Sequence, residues 1–227
     1  MTPETLDHVA LWVADRDPIA DFVTSRVGMH VVDRTDAFTL VGSDARRGKL
    51  TLFEAEGPRE QGALKHIALR VSALADALRG LEGVQVEQPR AGEAYFDVHE
   101  GLRLGVVEGE TEVDYDLDHV ALYSERPQET ATTYADFGFA PDGDTRVEVG
   151  GAFVEFHPGE PGDPEKPLLN HLAVLVDSAD ETLEDAKQAG IEVADVVDAP
   201  NTLAIFVWGP ERVKIEYVEQ KPTFALK

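Results

Sequence analysis

The chain of 227 residues contains no cysteine. Disulfides, thiolate catalysis, and Cys-ligated zinc or iron–sulfur sites are thereby excluded, and any metal must be held by His, Asp or Glu. Basic residues are also scarce. Twenty Lys and Arg face 44 Asp and Glu, for a formal charge of −24. Nucleic-acid binding rests mainly on cations that neutralise phosphates, so neither DNA nor RNA is an expected partner. An anionic membrane surface is disfavoured on the same ground. No apolar run is long enough to span a bilayer. The segment Met1-Thr2-Pro3-Glu4-Thr5 has neither a basic nor an apolar stretch, so no signal peptide is read and a cytoplasmic location is expected. The hydrophobic fraction of 43% supports a folded chain despite the charge.

What is present is a repeat. Leu6-Asp7-His8-Val9-Ala10-Leu11 recurs as Leu64-Lys65-His66-Ile67-Ala68-Leu69, as Leu117-Asp118-His119-Val120-Ala121-Leu122, and as Leu169-Asn170-His171-Leu172-Ala173-Val174. The copies lie at nearly even intervals of roughly 55 residues. Four of the seven histidines occupy its third position. Each copy reads as a β-strand with an inserted His. A helical stretch follows each one, over 15–26, 72–81, 126–137 and 178–189, and glycine follows closely each time. Two or three further strands close each unit, most clearly over 192–197, 202–208 and 212–218. The unit is therefore βαβββ, and the fold class α+β. The acidic stretch 108–114 reads as a linker, and the Pro/Gly-rich stretch 158–167 as a second loop.

Strand residues alternate between faces. His119, Ala121 and Tyr123 share one face of their strand. Phe153, Glu155 and His157 share a face, as do Lys214, Glu216 and Val218. The opposite faces are apolar and suit packing under helices. If the strands line a hollow, His119, Glu155, His171 and Glu216 point into it.

These modules resemble the vicinal oxygen chelate superfamily, which includes glyoxalase I, bleomycin-resistance proteins and type I extradiol dioxygenases. The resemblance covers residues 6–218 and rests on the repeated L-x-H-x-A motif with the ending Val213-Lys214-Ile215-Glu216-Tyr217. It implies four βαβββ modules paired into two cupped mixed sheets. The expected division is a metal-free N-terminal pair, 1–110, and a C-terminal pair, 111–227, carrying the metal site. The implied ligands are His119, Glu155, His171 and Glu216, holding one divalent Fe, Mn, Zn, Ni or Co ion. The matching N-terminal positions are His8, Phe53, His66 and Gly105, which leave only two imidazoles. Glu155, Glu216, His157 and Tyr123 are the candidate catalytic groups. Phe153, Phe206, Trp208 and Lys214 are the expected pocket residues.

The resemblance implies an enzyme that chelates a small vicinal-oxygen substrate to the metal. Four protein ligands leave two open positions and suit a lyase or isomerase, the preferred reading. Three leave room for a catechol and O₂ on Fe(II), the alternative of an extradiol dioxygenase. Ala152 and Phe206 stand where dioxygenases of this family carry an acid–base His and a Tyr, which favours the first reading. A non-enzymatic binding protein that sequesters a drug or small ligand is the third. Four modules in one chain allow a monomer, and a homodimer is equally compatible.

Overall fold

The computed structural model describes residues 1–225. Each repeat folds as expected. The first module is β1 (Thr5–Val13), α1 (Arg16–Phe22), β2 (His30–Arg34), β3 (Phe38–Gly42) and β4 (Lys49–Glu54). The second is β5 (Leu64–Val71), α2 (Leu74–Gly80), β6 (Val86–Glu87), β7 (Glu93–Asp97) and β8 (Arg103–Glu108). The third is β9 (Asp116–Ser124), α3 (Pro127–Tyr134), β10 (Ala140–Pro141), β11 (Arg146–Val149) and β12 (Ala152–Pro158). The fourth is β13 (Leu169–Leu175), α4 (Ala179–Gln188), β14 (Val193–Asp198), β15 (Thr202–Trp208) and β16 (Lys214–Gln220).

Local chemistry sets the helix ends. Asp15 caps α1 by accepting from the Asp17 amide at 3.0 Å, and Ser178 caps α4 by accepting from the Glu181 amide at 3.2 Å. Beyond α3 a short 3₁₀ turn stops at Gly138, whose φ of +87° lies in the left-handed region that glycine reaches without strain. Among the described residues, no helix is long and apolar enough to cross a membrane.

Two eight-stranded sheets result, in the orders β14-β15-β16-β13-β1-β4-β3-β2 and β10-β11-β12-β9-β5-β8-β7-β6. The expected pairing is thus corrected. Module one joins module four, and module two joins module three, so residue 110 is not a boundary between cups. The cause lies in the opening strands. β1 runs antiparallel to β13, and β5 runs antiparallel to β9. All four strands carry the same apolar alternation, so each is competent to pair with any other. In the pairing found, the stretch before module two and the stretch before module four lie side by side. The Glu60 amide donates to the Lys166 carbonyl, and the Leu168 amide donates to the Glu60 carbonyl, both at 2.8 Å.

The alternating face is the core. Val9, Leu11, Leu172, Val174, Ile215 and Tyr217 are sealed in one sheet, and Ile67, Leu69, Val120, Leu122, Val154 and Phe156 in the other. α1 packs behind β3 and β4, α2 behind β8, α3 behind β11 and β12, and α4 behind β15 and β16. At about 25 cal/mol per Å² of apolar surface, this continuous layer is the main favourable contribution to folding. The small motif residues Ala10, Ala68, Ala121 and Ala173 lie on the other face, between the histidines, and leave each cup open.

The module pairing has a direct test. Thr5 and Leu175 face each other across β1 and β13. Facing Cα atoms in an antiparallel pair fall within disulfide reach. In the cysteine-free background, Thr5→Cys with Leu175→Cys closes an intramolecular disulfide on mild oxidation, seen as faster migration on a non-reducing gel. Dithiols that stay open or link only between chains would contradict the pairing.

Candidate metal centres

Antiparallel pairing brings the motif histidines together in twos. In the first cup His8 stands opposite Ala173 and Ala10 opposite His171. The imidazoles therefore converge diagonally, with their Nε2 atoms 3.1 Å apart. β16 runs parallel to β13 and sets Glu216 beside Ala173. Glu216 Oε2 lies 3.1 Å from His8 Nε2 and 2.9 Å from His171 Nε2. The same oxygen is buried and accepts no hydrogen bond of proper geometry. Two ring nitrogens and a buried, unsatisfied carboxylate oxygen thus face one another. A cis edge of an octahedron with metal–ligand bonds of about 2.1 Å is about 3.0 Å, so the set fits a divalent ion held on one face.

The surroundings fix these ligand atoms. Asp7 Oδ2 takes the Nδ1–H of His8 at 2.6 Å, leaving Nε2 free to face the centre. Asp7 Oδ1 in turn takes the Lys49 ammonium at 2.7 Å, and Lys49 also donates to the Ala45 carbonyl at 2.6 Å. Asp7 and Lys49 are both buried, so each charge depends on the other. His171 Nδ1–H donates to Asn170 Oδ1 at 3.1 Å. Burial by itself would push Glu216 up, but His171 and His8 outweigh it and hold the carboxyl well below the usual carboxylate range. Burial would lower His8, yet Glu216 and Asp7 raise it to about 9. Burial lowers His171, so this imidazole is neutral and a ready donor.

A cavity of about 880 Å³ opens over this triad. Its wall carries Trp12, Phe38, Phe53, Phe206, Trp208 and Phe224. Phe53 and Phe206 lie 6.2 and 5.1 Å from the His171 ring, centroid to centroid.

The second cup repeats the arrangement with His66, His119 and Glu155. His66 and His119 Nε2 are 3.0 Å apart. Glu155 lies beside Ala121 on the parallel neighbour β12. Here the carboxylate is drawn aside. Glu155 Oε1 accepts from His157 Nε2 at 2.6 Å and is 3.9 Å from each of the two imidazoles. Lys65 donates to the other nitrogen of His157 at 3.0 Å. His119 is oriented by Asp118 at 2.8 Å, which also binds Arg70 Nε at 2.8 Å. His66 follows Lys65 rather than an acid. Burial, with the neighbouring His119, pushes its pKa down to about 3.

The expected quartet of His119, Glu155, His171 and Glu216 is therefore not one site. It divides between the cups, and His8 and His66, read as remnants, complete the two triads. The pairing of opening strands is the reason, and nothing in the four motifs marks it. The fourth position of each cup is fixed by register. Ala10 lies beside Thr51 and Ala68 beside Gly105. Thr51, and not Phe53, is thus the counterpart of Glu216. At Gly105 an added Cβ would meet the Tyr95 ring at 2.6 Å, so the fourth position of the second cup is filled by Tyr95. Among the described residues, neither triad gathers a second carboxylate at ligand distance. Phe206, Trp208 and Lys214 line the first cavity. Phe153 does not. It stacks on His119 in the second cup with centroids 4.6 Å apart. Tyr123 packs along the backbone at Gly159 and stands beside His157 in the register of β9 and β12. Asp7, Asn170, Lys49 and Thr51 were missed. The first two precede a motif His and were visible as a repeated acid or amide; the others are placed by register alone.

Comparison with known proteins agrees with this architecture. The profile of the Glyoxalase/Bleomycin resistance protein/Dioxygenase superfamily matches residues 5–89 and 116–217. No curated protein matches the sequence. Among solved structures, a putative dioxygenase from Bacillus subtilis superposes with a TM-score of 0.81 at 20% identity, covering 99% of this chain and 87% of its own. Glyoxalase I from Zea mays gives 0.73 at 14% identity, covering 95% and 92%. The cppA protein of Streptococcus pneumoniae gives 0.66 at 13%, covering 96% and 98%. Likenesses at these identities speak for the fold. With the profile spanning most of the chain and the fold matching throughout, this protein belongs to the glyoxalase/bleomycin resistance protein/dioxygenase superfamily, the vicinal oxygen chelate proteins.

Proposed function

We propose that the first cup is a mononuclear metal site of the two-histidine, one-carboxylate type, held by His8, His171 and Glu216, and that it cleaves an aromatic vicinal diol with Fe(II) and O₂. The observation that carries this reading is the count of ligands. Three protein donors on one face leave room for both diol oxygens and O₂, and Thr51 in the fourth position supplies no carboxylate. The aromatic wall of the 880 Å³ cavity suits a planar ring and keeps water from it. When bound, the metal supplies Lewis acidity and a binding point for dioxygen. The chain's own groups hold it in place: Asp7 sets the His8 tautomer, Lys49 holds Asp7, and Asn170 orients His171.

The lyase or isomerase reading rested on four ligands in one cup. With three it becomes the second reading, retained because Phe206 leaves the cavity wall without the expected tyrosine hydroxyl. The second cup, its carboxylate engaged by His157, is the weaker metal site.

Metal titration against a chromophoric chelator gives one tight site per chain. Glu216→Ala and His8→Ala weaken it by roughly 100-fold or more, while Glu155→Ala leaves it in place. Equal losses in all three variants would contradict the assignment. Uptake displaces the proton that His8 carries below about 9. Apparent affinity therefore rises by about tenfold per pH unit between pH 6.5 and 8.5. A flat profile would show that His8 carries no proton to displace over that range.

Fe(II)-loaded protein under air converts catechol-type diols to a yellow ring-fission product. Absence of that product across a diol panel, with turnover of an α-oxo substrate on Ni(II) or Co(II), would favour the isomerase reading.

A further inference from the structure

The internal repeat offers a comparison between two halves of the same cup. In module one, His8 lies beside Lys49 across the parallel β1–β4 pair. In module four, His171 lies beside Lys214 across the parallel β13–β16 pair. The two lysines are structural counterparts on either side of the triad. Lys49 is buried and fully engaged by Asp7 and the Ala45 carbonyl. The counterpart of Asp7 is Asn170, whose neutral oxygen is taken by His171. An acid in module one has become an amide in module four, and the lysine beside it has lost its carboxylate.

Among the described residues Lys214 makes no ion pair and no hydrogen bond. It is half-buried in the wall of the cavity. The acidic groups that act on it are Asp195 and Glu216. Glu216 is directed at the two imidazoles, and Asp195 is exposed on β14 with one oxygen held by the Val196 amide at 2.8 Å. The Lys214 ammonium lies over the Trp208 ring at 5.6 Å, and the Arg212 guanidinium lies over the same ring at 4.2 Å. Lys214, Trp208, Trp12 and Asn170 also border a side pocket of about 270 Å³. A half-buried cation without a partner, set between the metal triad and a side pocket, is a receptor for negative charge.

We propose that Lys214 selects the substrate of the first cup, which carries a carboxylate on the arm opposite its vicinal oxygens. This rests on the reading of that cup as the site for an aromatic diol. The diol oxygens face the triad, and the carboxylate lies in the cavity against the Lys214 ammonium, which no internal carboxylate engages as Asp7 engages Lys49. A buried charge-assisted contact of this kind gives roughly 10–100-fold in affinity.

The test compares catechol with 3,4-dihydroxybenzoate on Fe(II)-loaded protein without oxygen, read by quenching of tryptophan fluorescence. The wild-type protein binds the carboxylate probe roughly 10–100-fold more tightly. Lys214→Met collapses this ratio toward one, and Lys214→Arg keeps the greater part of it. Asn170→Asp retains the lysine but supplies it with an internal carboxylate, so the ratio falls there too. A wild-type ratio near one, or a ratio that survives in Lys214→Met, overturns the proposal. Carboxylate preference without ring cleavage in air upholds Lys214 and defeats the dioxygenase reading. Cleavage without preference defeats the Lys214 assignment alone, and binding of neither probe defeats both.

Discussion

Two antiparallel contacts, β1 against β13 and β5 against β9, hold the rest of this molecule in place. Each joins two opening strands across the middle of an eight-stranded sheet. Each sets a motif histidine opposite an alanine of its partner, so that two imidazoles meet at 3.0–3.1 Å across the strand boundary. The parallel neighbours β16 and β12 then bring one glutamate to each pair. Packing and chemistry share this single arrangement. The valines and leucines of one face fill the core, and the alternate positions on the other face line the cups.

The cups differ in what surrounds the same three residue types. In the first, Glu216 faces only the two imidazoles, and its buried oxygen lacks a conventional donor. A buried carboxylate needs a cation nearby, and in the metal-free site protonated His8 at 3.1 Å is that cation, which a divalent ion would replace. In the second, His157 already answers Glu155, with Lys65 behind it. Tyr95 fills the place opened by Gly105, whereas the first cup opens to a large aromatic cavity. One repeat has thus yielded a site shaped for a ligand and a site largely satisfied by its own side chains.

Much of this was legible in the sequence. The four L-x-H-x-A motifs gave the module count and the strand faces, and the glycines after the helices marked their ends. His171 and Glu216 meet in the first cup, with Phe206, Trp208 and Lys214 in its wall. The grouping of ligands was not legible. Four near-identical motifs can pair in more than one way, and the hydrophobic pattern stabilises each pairing alike. The linkers around Glu60 and Lys166 meet through backbone bonds and through the Lys166 ammonium on the Glu56 carbonyl, a contact that no repeated motif marks. The fourth ligand came from placing Glu155 in one cup with Glu216, and Phe53 was set where the register of β1 and β4 puts Thr51.

The central claim is that one divalent metal is held by three side chains drawn from the first and last modules. Anomalous diffraction at the iron edge from Fe(II)-loaded crystals tests it most directly. A peak is expected about 2.0–2.2 Å from His8 Nε2, His171 Nε2 and a Glu216 oxygen, with no fourth protein ligand. A peak confined to the cup of His66, His119 and Glu155, or one bound by a further side chain in the first cup, would contradict it.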